Sequence, residues 1–265
     1  LQPALRDGDP RELIDPSPAA VDPVSRDESA DSALGGAVRL LQPRRGYRFS
    51  LDAVLLARFA AERPAERVAD LGCGCGVVGL CLLALGGARE VVGVDVQAEM
   101  VERAARAAEW NGVGGRARFL QGDLRSLEDL LPPRSTDLVV SNPPYRPLGA
   151  GHVSPDAGVA LARHELACTV RDVAAAAARL LGSKGEFCVV YPAARLAVLL
   201  DACGGRELEP RELWPVYPYP GKPASLALLR CVKGARAGLT IRAPLFLHDA
   251  RTKYSEEAQR LLGRP

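Results

Sequence analysis

Two short stretches of this chain hold residue types that could do chemistry together. They are Asp70-Leu-Gly-Cys-Gly-Cys-Gly76 and, about seventy residues later, Asn142-Pro-Pro-Tyr145. In the second stretch the Asn142 amide oxygen and the Pro143 carbonyl are two acceptors suited to an NH2 group, and neither is a base strong enough to strip its proton. Tyr145 offers a flat face on which a ring can stack. Pro143 and Pro144 stiffen the backbone, so their carbonyl directions are set at little entropic cost. An aromatic or amide NH2 is a poor nucleophile because its lone pair is delocalised. Two acceptors on its hydrogens favour a more tetrahedral nitrogen and aim the lone pair at an incoming methyl group. The chemistry is methylation of an exocyclic nitrogen. Alignment of two bound reactants supplies ~7–11 kcal/mol of such a barrier, and the product cation can lose its proton to water without a general base.

The first stretch reads as the methyl-donor site. Gly72, Gly74 and Gly76 let backbone pass close to a ligand in conformations other residues resist. Their GxGxG spacing lacks the last interval of the dinucleotide fingerprint, and a methyl donor has no pyrophosphate to cradle. Asp95 ends the apolar run Val91-Val-Gly-Val-Asp95, nineteen residues after Gly76, where a carboxylate accepts both hydroxyls of a ribose. Asp123, with Leu124 beside it, is placed to contact an adenine; capping of a helix that starts at Leu124 is the alternative. Asp70 is expected at the amino-acid end of the donor, and Asn142 where donor and acceptor meet. A plain tight turn would explain the glycines alone. Asp95 and Asp123, each closing a successive strand, favour a nucleoside site.

These residues need a scaffold that brings strand ends together, and the chain supplies the pattern. Residues 37–41 and 47–50 read as a hairpin around Gln42-Pro-Arg-Arg-Gly46. Ser50 is expected to cap a helix over 51–62, with Asp52 in its first turn. Strands at 67–71, 90–95, 116–121, 137–141 and 185–191 alternate with helices at 76–86, 97–111, 124–131, 166–181 and 193–203, and 142–165 is a long loop. Strands near 208–216 and 225–232 have no long helix between them, and a last short helix is capped by Ser255. The fold class is α/β: a doubly wound, mostly parallel, seven-stranded sheet with an antiparallel terminal pair and an N-terminal β-hairpin.

The chain has 265 residues, 48% of them hydrophobic, enough for one sizeable core. No run approaches the ~18 apolar residues of a membrane span, and the first residues lack the basic-then-apolar order of a secretory leader. Seven cysteines in no zinc-like array point to reduced thiols in a cytoplasmic protein, with Cys73 and Cys75 as small fillers of the glycine turn. No cluster has metal-ligand spacing, and no nucleophile–histidine pairing suggests covalent catalysis. Nothing signals an oligomeric state.

Residues 1–34 carry a net charge of −5, so the remainder carries +7. Residues 1–36 read as an acidic, Pro-rich disordered tail and 37–262 as a single domain, mildly basic and therefore compatible with nucleic acid. Arg44, Arg45 and Arg48 are candidate phosphate contacts, a solvated basic turn being the alternative. Behind Tyr145, the residues Arg163 and His164, with His152, Asp156 and Glu165, are candidate substrate contacts; for each, a solvated or structural role stands beside that reading.

With these residues in view, the chain resembles the Rossmann-like class I S-adenosylmethionine-dependent methyltransferases. More narrowly it is similar to the bacterial tRNA(Val) adenine-N6 methyltransferase family. Tyr47-Arg-Phe-Ser-Leu-Asp-Ala-Val-Leu-Leu56, the glycine turn, Asn142-Pro-Pro-Tyr145 and Ala162-Arg-His-Glu165 carry the resemblance, and Ala243-Pro-Leu245 with Tyr254-Ser-Glu-Glu257 add to it. It implies methyl transfer from S-adenosylmethionine to N6 of an adenosine beside the anticodon. It places the donor at Asp70, Gly72, Gly74, Asp95 and Asp123, with Ser50 and Asp52 bordering its amino-acid end, and the target amine at Asn142 and Pro143. The acidic lead lies outside the family pattern.

Two other acceptors suit the same acceptor geometry. One is a release-factor glutamine, although that family carries a helical substrate-binding domain ahead of its glycine motif, where this chain has a hairpin and one helix. The other is guanine N2 in ribosomal RNA. A non-catalytic donor- or RNA-binding module is the reading from another class, and an intact Asn142–Tyr145 argues against it.

Overall fold

The structure, a computed structural model, describes residues 24–45, 48–143, 168–249 and 253–263. An antiparallel hairpin of β1 (Glu28–Ala33) and β2 (Val38–Pro43) precedes the main body. Then follow α1 (Leu51–Ala61), β3 (Ala65–Leu71), α2 (Val77–Ala84), β4 (Ala88–Asp95), α3 (Ala98–Trp110), β5 (Ala117–Gln121) and β6 (Thr136–Ser141). After the undescribed stretch come α4 (Val170–Leu180), β7 (Leu181–Pro192), α5 (Leu196–Gly204), β8 (Leu208–Tyr217) and β9 (Leu226–Lys233). Two two-residue strands, β10 (Thr240–Ile241) and β11 (Leu245–Phe246), and α6 (Glu256–Leu262) close the order.

The seven main strands run β5-β4-β3-β6-β7-β9-β8, with β10 and β11 both paired to the outer edge of β8. Only β9 runs against its neighbours, antiparallel to β7 and to β8. The order reverses between β3 and β6. Such a switch point opens a crevice at the carboxyl ends of the strands.

Strand residues divide strictly between the two faces. Val68, Leu138, Val140, Cys188, Val190 and Leu228 join one core with α1, α2, α3, α6 and the hairpin. Their alternates Ala69, Leu71, Val139, Phe187, Val189 and Leu229 join the other with α4 and α5. Both faces are apolar, as a doubly wound sheet requires. Arg230 is the exception on β9: fully buried, it pairs with Glu186 at 2.5 Å and Glu212 at 3.2 Å and lies 4.6 Å from the Phe59 ring. That cluster fastens α1 to three strands.

The hairpin forms from other residues than expected. Its first strand is Glu28–Ala33, upstream in the acidic stretch, and residues 48–50 carry no strand. Glu28 is 2% exposed because Arg103 and Arg106 of α3 enclose it, the former at 2.9 Å. Against the cost of burial, those two cations and the Ser25 N–H hold its carboxyl down at a pKa of about 2. The hairpin turn also packs on the far end of the chain: a Cβ on Gly35 would stand 1.9 Å from the Gly263 carbonyl oxygen.

Other departures are local. No helix forms over 124–131; residues 123–131 make successive turns, one with Leu131 N–H donating to Leu127 O at 2.9 Å. Helix α4 starts at Val170 rather than 166, where Thr169 and Asp172 form a reciprocal capping box. Ser255 caps α6 as expected, accepting from Ala258 N–H at 3.1 Å. Ser50 holds the N-cap position of α1, but its side chain makes no capping bond.

Candidate active site

The glycine turn is held in place by the next strand. Gly72 and Cys73 N–H groups both donate to Val94 O, at 2.8 and 3.1 Å, and Gly74 N–H donates to Asp95 Oδ2 at 2.9 Å. Asp95 Oδ1 takes Gln97 N–H at 2.9 Å, so this carboxylate pins the start of α3 as well. Each oxygen keeps a second lone pair for a further donor.

The three glycines do different work. All have positive φ: 71° at Gly72, 52° at Gly74 and 79° at Gly76. A Cβ on Gly72 or Gly74 would meet nothing within 4 Å among the described residues, so both face open space there. A Cβ on Gly76 would come within 2.8 Å of Phe119 and 3.1 Å of Ala104. Gly76 therefore faces the protein and brings α2 and β5 together rather than lining the opening. Cys73 and Cys75 are buried, and burial pushes both thiols up, Cys75 to about 12, which keeps them protonated.

Asp70 points under α2. Gly76, the N-cap of that helix, has no side chain, and Asp70 Oδ2 accepts the orphan Gly79 N–H at 3.0 Å in its place. Burial, with a contribution from Asp95, raises the Asp70 carboxyl to about 7, while the Gly79 bond works the other way. Its buried Oδ1 has no hydrogen-bond partner among the described residues.

The switch point brings the two motifs together. Ser141 ends β6 beside Leu71 and donates its Oγ proton to Leu71 O at 2.7 Å. Asn142 follows directly, and an open cleft is lined by it together with Gly72, Cys73, Gly74, Val77, Met100 and Phe49. Pro143, next in the chain, is buried. Pro144, Tyr145, His152, Asp156, Arg163, His164 and Glu165 lie outside the described residues.

The remaining expected residues are not among those lining that cleft. Asp52 is buried in the first turn of α1, and Ser50 is exposed just before it. Asp123 forms an Asx-type turn, accepting Arg125 N–H at 2.9 Å and pairing with its guanidinium at 2.5 Å. Arg125 lowers the Asp123 carboxyl, and no helix follows for it to cap. Leu124 beside it packs on the α4 side core. Arg48 is engaged within the hairpin, 2.5 Å from Asp31 and 2.9 Å from Ser29 Oγ. Arg44 donates to Arg26 O at 3.2 Å, and Arg45 is exposed.

Sequence reading missed the apolar lining residues Phe49, Val77 and Met100 and one polar one, Gln42. It is 2% exposed, lines the cleft, accepts Phe49 N–H at 2.7 Å and donates to Asp31 Oδ2 at 2.8 Å. Its one legible signal is a polar residue inside an apolar run, Val38-Arg-Leu-Leu-Gln42.

Residues 51–195, from α1 to just past β7, match the model of the methyltransferase small domain. The chain belongs to that family. It is a methyltransferase, and the glycine turn and Asn142 both fall inside the matched stretch. Curated proteins similar to it include the tRNA1(Val) (adenine(37)-N6)-methyltransferase of Aeromonas hydrophila, 31% identical over 80% of this chain and 87% of that protein. The protein of the same name from Dickeya chrysanthemi is 29% identical over 82% and 87%. Among solved structures, a protein of Agrobacterium tumefaciens described as a predicted O-methyltransferase superposes with a TM-score of 0.65 and 28% identity, covering 80% of this methyltransferase and 96% of that chain.

Proposed function

We propose that this methyltransferase uses S-adenosylmethionine to methylate N6 of an adenosine in a tRNA loop beside the anticodon, by direct in-line transfer. The observation that carries the reading is a cleft that joins Asn142 to the open-faced glycines. The names of the similar tRNA1(Val) adenine-N6 methyltransferases favour this acceptor over release-factor glutamine or guanine N2.

The residues present fit such a donor. Gly72 and Gly74 leave room against the backbone, and Asp95 keeps acceptor capacity for ribose hydroxyls at the end of β4. Asp70 Oδ1 is a buried acceptor beside the turn without a partner among the described residues. When bound, the sulfonium donor supplies an activated methyl group. Asn142 and Pro143 supply acceptors at the end of β6 to hold the amine and orient its lone pair across the cleft. Tyr145 supplies the stacking face of an extruded base, since a base inside a stack cannot reach the donor.

The test offers methyl-labelled donor with unmodified tRNA, ribosomal RNA and release factor in parallel. Label in tRNA as N6-methyladenosine is expected. Label in release-factor glutamine alone, or in RNA as N2-methylguanosine, contradicts the acceptor assignment while sparing the donor site.

A further inference from the structure

We propose that the turn Tyr219-Pro-Gly-Lys222 is a platform for single-stranded RNA beside the target nucleotide, with the Tyr219 ring stacking on a base and Lys222 contacting a phosphate. The proposal rests on the RNA reading above. The sheet register puts this turn on the rim that carries Asn142. Ser141 is level with Val189 on β7, Pro192 with Leu226 on β9, and Leu226 with Val216 on β8, so the segment 218–225 emerges where β6 ends. Two to three strand spacings, about 10–15 Å, separate it from β6 across the sheet, and Pro192 stands three residues, about 10 Å, beyond the level of Ser141.

The turn is built to be rigid. Lys222 N–H donates to Tyr219 O at 3.3 Å, Pro220 holds the second position, and Gly221 has the positive φ, 80°, that a type II turn demands at its third. Pro218 and Pro223 flank it, which limits what ordering on binding would cost. Ring and cation occupy the first and fourth positions and meet, with Lys222 Nζ 5.9 Å from the Tyr219 centroid. Lys222 is exposed and Tyr219 partly so.

Two neighbouring segments brace it. His248 directs both its N–H and its Nδ1 at Pro218 O, each at 3.0 Å, and stacks on Tyr254 at 4.6 Å. Ala193 N–H donates to Ser225 O at 3.0 Å, which ties in the loop after β7, where Arg195 lies over the Tyr191 ring. A hairpin connection alone needs neither brace. His248 and Tyr254, which do not line the donor cleft, thus have work to do. Aromatic faces with adjacent cations are how proteins hold splayed single-stranded bases.

The experiment uses the full chain and an unmodified tRNA1(Val) transcript, measuring RNA affinity across a salt series, with S-adenosylhomocysteine affinity as the control for an intact donor site. Tyr219→Ala should weaken RNA binding about 5- to 150-fold, the range for losing one base stack, and Tyr219→Phe should stay within about twofold of the parent. Lys222→Ala should lower the slope of log affinity against log salt by about 0.7. Unchanged RNA affinity and slope in Tyr219→Ala and Lys222→Ala, with the parent methylating tRNA, would overturn the platform alone. A parent protein that neither binds nor methylates the transcript would overturn the RNA reading and the platform with it.

Discussion

Gln42 Nε2 lies 2.8 Å from Asp31 Oδ2, while its Oε1 receives the Phe49 N–H, so one buried side chain of the hairpin sets the backbone that leads into the cleft. The pairing has a polarity: Gln42 must donate one way and accept the other. Gln42→Glu sets two carboxylates against each other and should weaken S-adenosylhomocysteine binding roughly tenfold, in line with ~1–3 kcal/mol for a spoiled buried hydrogen bond. Calorimetry on Gln42→Glu checks this, and unchanged affinity would disprove the pairing's role.

Asp95→Ala strips the Gly74 and Gln97 N–H groups of their acceptor. Donor affinity should fall by at least ~1–3 kcal/mol, since bound ribose hydroxyls also lose a partner. Calorimetry with unchanged affinity would remove Asp95 from the ribose site.

Glycine substitutions should separate the two duties in the turn. Gly76→Ala meets both the left-handed strain and the Phe119 and Ala104 contacts, and Gly72→Ala only the strain. The strain costs ~1–2 kcal/mol; overpacking adds ~1–3 kcal/mol at Gly76. Urea unfolding should rank Gly76→Ala as clearly the less stable. A reversed order would mean that Gly76 does not face the core.

Asp70 should make unliganded stability depend on pH. Its carboxyl is raised from its ordinary range near 3.8 to about 7 in the fold, so between those values the folded state holds a proton that the unfolded chain has lost. Its contribution is therefore fully present only below the unfolded value of 3.8 and is lost as pH climbs to about 7, by as much as ~4 kcal/mol. Asp70→Asn, permanently uncharged, should flatten that fall. Parallel pH profiles of the two proteins would show that Asp70 is ionised throughout.

Most of the sheet was legible because its strands are short apolar runs broken by glycine and acid punctuation. Val91-Val-Gly-Val-Asp95 announces both its interior and its end. Glu28-Ser-Ala-Asp-Ser-Ala33 announces nothing, since small and acidic residues form strands poorly. It is a strand because Arg103 and Arg106, seventy-five or more positions away, neutralise Glu28, and Gln42 and Arg48 engage Asp31. The helix expected after Asp123 fails for a local reason, since Arg125 takes both carboxylate oxygens and closes a turn. At the site, the glycine motif and Asn142 could be read from residue type, but the inward duty of Gly76 could not. That duty depends on Phe119, which another strand delivers.

On the proposed mechanism, Asn142 holds the acceptor amine while the glycine turn holds the donor. The most direct measurement incubates an unmodified tRNA1(Val) transcript and S-adenosylmethionine with the parent protein and with Asn142→Ala, then resolves the nucleosides by mass spectrometry. N6-methyladenosine is expected from the parent, none from Asn142→Ala, and nearly equal S-adenosylhomocysteine affinity for both. Near-normal N6-methyladenosine from Asn142→Ala would contradict that mechanism.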